Sequence, residues 1–130
     1  MLIHKIVLML VLGLVCSSAS AEWRNVASYN SITLYVDSST ILKRGNMVKM
    51  WSLVDFKNPD TLEGRSYRSM KSQNEYDCKE VKNRMTYNSY HTGNMGDGEV
   101  FAINASIGDM MPVPPNSGNL IMWKIACGKQ

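Results

Sequence analysis

Between Met47 and Phe56 the chain reads MVKMWSLVDF, and this run is apolar on both sides of a two-residue period. Val48, Met50, Val54 and Phe56 fall on one side; Met47, Trp51 and Leu53 fall on the other. A strand of that kind belongs in the middle of a sheet with both faces at least partly covered. The preceding segment, Ser31 to Asp37, alternates cleanly, with Ile32, Leu34 and Val36 on one face and Thr33, Tyr35 and Asp37 on the other. That is the pattern of a half-buried strand. Lys43-Arg44-Gly45-Asn46 lies between the two and reads as a turn, because Gly and Asn tolerate positive φ. The core of the fold is therefore a sheet.

The remaining segments fill in around this pair. Trp23 to Tyr29 reads as a first strand, followed by a turn at Asn30-Ser31, and Asp37-Ser38-Ser39 reads as a break after the second strand. Lys57 to Gly64, with Pro59, reads as a loop. Arg65 to Tyr76 is polar on both faces and reads as a long exposed strand, a candidate edge, with a turn near Ser72-Gln73-Asn74. Cys78 to Tyr90 sets Val81, Met85 and Tyr87 against Lys82, Arg84, Thr86 and Tyr90 on the opposite face. Gly93 to Gly98 is a glycine-rich turn and Glu99 to Asn104 a further strand; Gly108 to Gly118 carries three prolines and cannot be regular for long. The period then changes. Asn116 or Ser117 can cap a helix in which Leu120, Ile121, Trp123 and Ile125 recur at helical spacing, ended by Gly128. The expected class is α+β: a single antiparallel sheet of five or six strands with one C-terminal helix on one face.

The amino-terminal stretch has another character. Lys5 precedes the apolar run Ile6 to Val15, and small residues end in Ala19-Ser20-Ala21. This reads as an export leader over residues 1–21, cut after Ala21, with residues 22–130 forming a single domain. The apolar run is too short to span a bilayer comfortably. Leu14-Val15 before Cys16 fits poorly to a lipidation site, which wants a small residue there. Loss of the leader leaves Cys78 and Cys127, an even pair in an exported chain, and so one expected disulfide. It would clamp the helix to the start of a strand.

Little in the sequence suggests catalysis. His91 is the sole histidine after residue 21 and, beside the glycine turn, reads as an exposed loop residue. Asp77 with Glu80, and Asp97 with Glu99, read as solvated or salt-bridged charges rather than acid–base pairs. No metal-ligand spacing occurs, and no cofactor is implied. Met110-Met111 reads as core filler. A net charge of +3 is too small to suggest nucleic-acid binding. The basic excess is local: Arg65, Arg68, Lys71, Lys79, Lys82 and Arg84 outnumber the acids among them. Arg65, Arg68, Lys71, Lys82 and Arg84, with Tyr67 and Tyr76 nearby, are candidate contacts for a protein or polyanionic partner. The alternative is an exposed edge strand that carries charge to stay soluble.

The order of several short pieces resembles the surface-adhesin protein E family of Gram-negative bacteria. They are Tyr35-Val36-Asp37 with Ser38 to Ile41, Val48-Lys49-Met50-Trp51, Ser69-Met70-Lys71 leading to Glu75-Tyr76-Asp77-Cys78, Tyr90-His91-Thr92-Gly93 leading to Met95 to Gly98, and Pro112 to Ser117 running on to Ala126-Cys127. The resemblance implies an antiparallel sheet with a disulfide-tied C-terminal helix, and an exported, non-enzymatic binding module directed at host extracellular-matrix proteins. Founding-type members carry a lipid anchor, which Leu14-Val15-Cys16 does not provide for. The alternative role is a periplasmic accessory or structural protein of the envelope. The chain is thus expected to be periplasmic or secreted, or held at the cell surface, with a second copy of itself among its candidate partners.

Overall fold

The computed structural model describes residues 21–129. Apart from Ala21, the expected leader lies outside them. In chain order the elements are β1 (Arg24–Ser28), β2 (Ile32–Arg44), β3 (Met47–Leu62), β4 (Arg65–Asp77), β5 (Lys82–His91), β6 (Val100–Asn104), β7 (Met111–Pro112) and α1 (Gly118–Ala126). The first six form an antiparallel meander in the order β1-β2-β3-β4-β5-β6, and β7 adds a short pairing to β5. The turns explain the meander. Gly45, at φ +59°, opens the two-residue β2–β3 turn, and Glu63 and Gly64, at φ +50° and +79°, make the β3–β4 turn. Positive φ gives a hairpin turn the twist that matches its strands.

The expected sheet and helix are present, with corrections in detail. β2 does not stop at Asp37. It passes a bulge between Asp37 and Leu42 and runs on to Arg44. Side chains build the bulge: Asp37 Oδ1 accepts hydrogen bonds from the Ser39 N–H and hydroxyl, and Thr40 Oγ1 donates to the Asp37 carbonyl and accepts from the Trp51 N–H. β3 likewise continues through most of the expected Lys57–Gly64 loop. Its register against β4 shifts between Asp55 and Asp60, so Pro59 sits where no ladder bond is required of it. The turn expected at Ser72-Gln73-Asn74 is a register shift within a continuous β4. That shift also puts Met85, opposite Asn74, and Tyr87, opposite Gln73, on different faces. β4 is an interior strand, paired with β3 and β5, not an edge.

The helix covers one end of one face. Leu34, Val36, Val48, Met50 and Tyr76 from the sheet pack with Met122, Trp123 and Ala126 from α1 and with Val113. Ser117 is the N-cap, its Oγ accepting from the Leu120 N–H. Cys78 and Cys127 form the expected disulfide, with Cα atoms 5.6 Å apart. On the same face beyond the helix, an open groove of about 680 Å³ has Val54, Met70 and Ser72 in its floor and Tyr29, Met85 and Met111 at its rim. Met111 is largely exposed, not core filler, while Met110 is half-buried.

Candidate functional site: the helix-free face

The strand register lays out the opposite face as rows. Lys49, Glu75 and Arg84 form one row across β3, β4 and β5; Trp51, Gln73 and Tyr87 form the next. Leu53, Lys71, Ser89 and Ile103 follow, and then Asp55, Ser69, His91 and Val100. The face therefore grades from charged through aromatic to apolar with buried polar groups. No helix packs on it. Its lower part is covered instead by the loop around the 3-10 turn Asn94–Gly96.

That loop is held by side chains from the sheet. Ser69 Oγ donates to the Gly93 carbonyl at 2.6 Å and accepts from the Gly96 N–H at 2.8 Å. Asp55 Oδ1 accepts from the Met95 N–H and from the Asn94 amide. Gly96 lies against Lys71 and Leu53 at φ +76°, so closely that a Cβ there would stand 2.4 Å from Lys71 Cε. The loop is therefore part of the face, and Gly96 packs against the Lys71 side chain.

Above the loop is a pocket of about 430 Å³, lined by Trp23, Asp37, Thr40, Trp51, Lys71, Tyr87, Ser89, His91, Val100 and Ile103. The Trp51 and Tyr87 rings meet edge to face with centroids 5.2 Å apart, a favourable aromatic geometry. Val100 and Ile103 on the outer strand β6 are exposed. An aromatic pair beside one cation and flanked by apolar rim residues has the composition of a protein-binding hot spot.

His91 lies in this pocket, not in an exposed loop. It ends β5 and is only 3% exposed, because the Gly93–Gly98 segment folds back beside it. Its Nε2 is 2.8 Å from Ser89 Oγ, and its Nδ1 has no partner among the described residues. Burial, then the nearby Lys71 charge, hold its pKa below the ordinary value, with Asp97 opposing them. A serine beside a neutral histidine is two parts of a nucleophile–base system. No third group orients the imidazole here, and Ser89 is itself buried. Among the described residues no three His, Cys, Asp or Glu side chains come together as metal ligands.

The five basic residues singled out from the sequence do not form one cluster. Lys71, Lys82 and Arg84 share this face, but Arg84 donates from Nε and Nη2 to Glu75 Oε1 at 2.8 and 2.5 Å, forming an ion pair. Arg68 falls in the irregular stretch opposite the Asp55–Asp60 bulge, with no register partner. Arg65 is at the far end of the sheet, 3.6 Å from Glu99 and over the Phe101 ring at 4.4 Å. There Phe56, Tyr67, Tyr90 and Phe101 form an aromatic cluster. Trp23, Trp51 and Tyr87 are not among the site residues offered by the sequence, from which His91 reads as an exposed loop residue. The visible signal for Trp51 was its place on the second apolar side of the central strand.

No curated protein sequence matches the chain. Solved structures that it resembles include several of protein E from Haemophilus influenzae. The non-typeable strain's protein aligns at 14% identity and TM-score 0.62, over 86% of this chain and 79% of that one. A second structure aligns at 14% and 0.60, over 84% and 90%, and a second crystal form at 14% and 0.61, over 85% and 97%. At that identity the likeness speaks for the fold alone. Membership is carried by the family model for surface-adhesin protein E, which matches residues 23–128. The chain belongs to the surface-adhesin protein E family.

Proposed function

We propose that this protein is an exported, non-enzymatic binding module that grips a protein partner with the helix-free face of its sheet. Trp51 and Tyr87 are the anchors and Lys71 is the charged contact. The observation that carries this reading is the Trp51–Tyr87 pair, half-exposed in a pocket beside Lys71 on a face that no helix covers. Buried aromatic anchors dominate protein interfaces, and truncating one raises the dissociation constant at least tenfold. Family membership supports adhesion, and a host extracellular-matrix protein is the partner class proposed. The second reading is a partner within the bacterial envelope. It is favoured by Leu14-Val15 before Cys16, which does not fit a lipid anchor.

The test is a binding measurement on the mature protein against a panel of matrix proteins and, separately, against envelope extract. Trp51→Ala and Tyr87→Ala should each weaken binding at least tenfold while leaving the circular dichroism spectrum and melting temperature nearly unchanged. Lys71→Ser should slow association, with the largest effect at low salt. Undiminished binding by a folded Trp51→Ala/Tyr87→Ala double variant would move the site elsewhere, with the helix-side groove at Tyr29, Met85 and Met111 next.

A further inference from the structure

Asp37 is a buried carboxylate, 4% exposed, and among the described residues every hydrogen bond it accepts comes from a neutral group. Oδ1 takes the Ser39 N–H and hydroxyl; Oδ2 takes the backbone N–H of Glu22 at 3.1 Å. Among the described residues no lysine or arginine lies within ion-pair distance of it. A buried charge served only by neutral donors is an unfavourable arrangement, and proteins ordinarily pair it.

The position of the third donor suggests how the pairing is made. Glu22 directly follows Ala19-Ser20-Ala21, the small residues of a leader-cleavage site. We propose that hydrolysis of the Ala21–Glu22 peptide bond converts that donor into an α-ammonium group, and that Asp37 is the built receptor for the mature amino terminus. Water adds its hydroxyl to the Ala21 acyl carbon and one proton to the Glu22 nitrogen as the C–N bond breaks, and the proton of the new carboxylic acid passes to the amine, leaving a carboxylate and an ammonium; a leader endopeptidase of the exporting cell catalyses the step. No other atom needs to move. The nitrogen already stands at hydrogen-bond distance, and Glu22 is exposed, so the remaining two ammonium hydrogens stay in water.

The geometry gives the pairing a purpose. Arg24 is opposite Val36 in the β1–β2 ladder, so the new terminus lies just past the start of that pairing, where its nitrogen reaches Asp37 Oδ2. An ion pair there pins the start of an edge strand and holds Trp23, between Glu22 and Arg24, against the pocket that Asp37 also lines. The pKa of Asp37 fits an anion: burial alone would raise it, yet the bonds from Ser39 and Glu22 bring it below the ordinary value. The other ionisable groups at this corner are the Glu22 carboxyl itself, Lys71 from β4 and His91 from β5. The inference does not depend on the identity of the binding partner.

The experiment exports the full chain from a Gram-negative host and measures its intact mass, then compares the processed protein with a form that retains Ala21 as its first residue. The expected mass begins at Glu22, and the processed form should melt about 4–8 °C above the longer one. Asp37→Asn should erase that difference. Should the Asp37→Asn protein fail to fold, isotope-edited titration of the wild-type terminus decides. The ammonium pKa should lie well above the ordinary range of about 7.7–8.0 for an α-amino group. A chain beginning elsewhere, such as at a lipid-bearing Cys16, would overturn the proposal. Equal melting of the two forms, or an ordinary ammonium pKa, would do the same.

Discussion

The indole N–H of Trp123 donates to the backbone carbonyl of Asp77 at 2.8 Å, one residue before the cysteine that holds the end of the same helix. The helix is thus tied to the β4–β5 corner twice, by a hydrogen bond from its middle and by the disulfide at its end. Two ties to one corner leave the helix little freedom to pivot about the sulfur bridge.

Reduction, or Cys78→Ser with Cys127→Ser, should therefore lower stability by about 2–4 kcal/mol without releasing the helix. Trp123→Phe should lower it by about 1–2 kcal/mol, because the ring stays packed while the hydrogen bond to a half-buried carbonyl is lost. Urea unfolding measures both. If the helix is held as described, far-ultraviolet circular dichroism of the reduced protein still shows it, and adding Trp123→Phe to the reduced protein removes it.

Val81 has φ +54°, a region that β-branched residues strongly avoid. Its carbonyl accepts the Val113 N–H at 3.0 Å, which ties β5 to the segment leading into the helix. Val81→Asn should keep that backbone and relieve about 1 kcal/mol of strain. Glu63→Asn at the β3–β4 turn, φ +50°, should add about 0.5 kcal/mol. A urea midpoint that falls for either variant would mean that the native side chain supplies a contact outweighing its strain.

Gly98 has the opposite requirement. At φ +76° a Cβ would sit 2.4 Å from Thr92 Oγ1 and 2.8 Å from the backbone nitrogen of Gly93. The second obstacle is backbone and cannot swing away. Gly98→Ala should therefore lower stability by about 2 kcal/mol or more and loosen the loop over Ser69. Faster amide exchange at Gly96, whose N–H is held by Ser69 Oγ, would report that loosening directly.

The pH dependence follows from His91 and Asp37. Burial and Lys71 depress the His91 pKa below its ordinary 6.5 in the folded protein, so the folded state binds fewer protons than the unfolded one. Its contribution is complete above about pH 6.5 and is lost as the pH falls below that value. Asp37, also depressed from 3.8, has its contribution intact above that point and loses it as the medium becomes more acidic. On these two groups alone, melting temperature should be level from pH 8 to 7 and fall from pH 6.5 to 5; a paired Glu22 ammonium would add a decline as the pH rises towards 8 and beyond. His91→Gln should flatten the upper part of that fall; an unchanged slope would assign it to another group.

The sheet was legible where one physical demand dominated. Ile32, Leu34 and Val36 alternate because one side of β2 meets the helix, and Met47 to Phe56 is apolar on both sides because β3 meets the helix on one and, on the other, buries Leu53 beside the loop and sets Trp51 in the pocket. β4 was misread because polarity was taken for exposure. Ser69 is polar because it holds the loop backbone, and Ser72 because it lines an open groove, yet both are buried inside an interior strand. His91 was misplaced for a related reason: glycines mark a change of direction, and this one folds the chain back over its neighbour. The basic cluster dissolved because sequence proximity says nothing of partners such as Glu75 for Arg84 and Glu99 for Arg65. Trp51 and Tyr87 are brought together only by the β3–β4–β5 register, which no local pattern states.

The meander has a consequence for the order of assembly. Each of the first six strands bonds to the next along the chain, and two of the joining turns are only two residues long, so most pairings close short loops and form quickly. A long closure joins Cys78 to Cys127 across 49 residues, and the second sulfur follows a helix that comes after every strand of the sheet. A chain emerging amino end first can zip its sheet hairpin by hairpin before Cys127 appears. Oxidation then acts on a nearly finished structure in which the thiols already face each other, so its role is to latch the fold rather than to guide it.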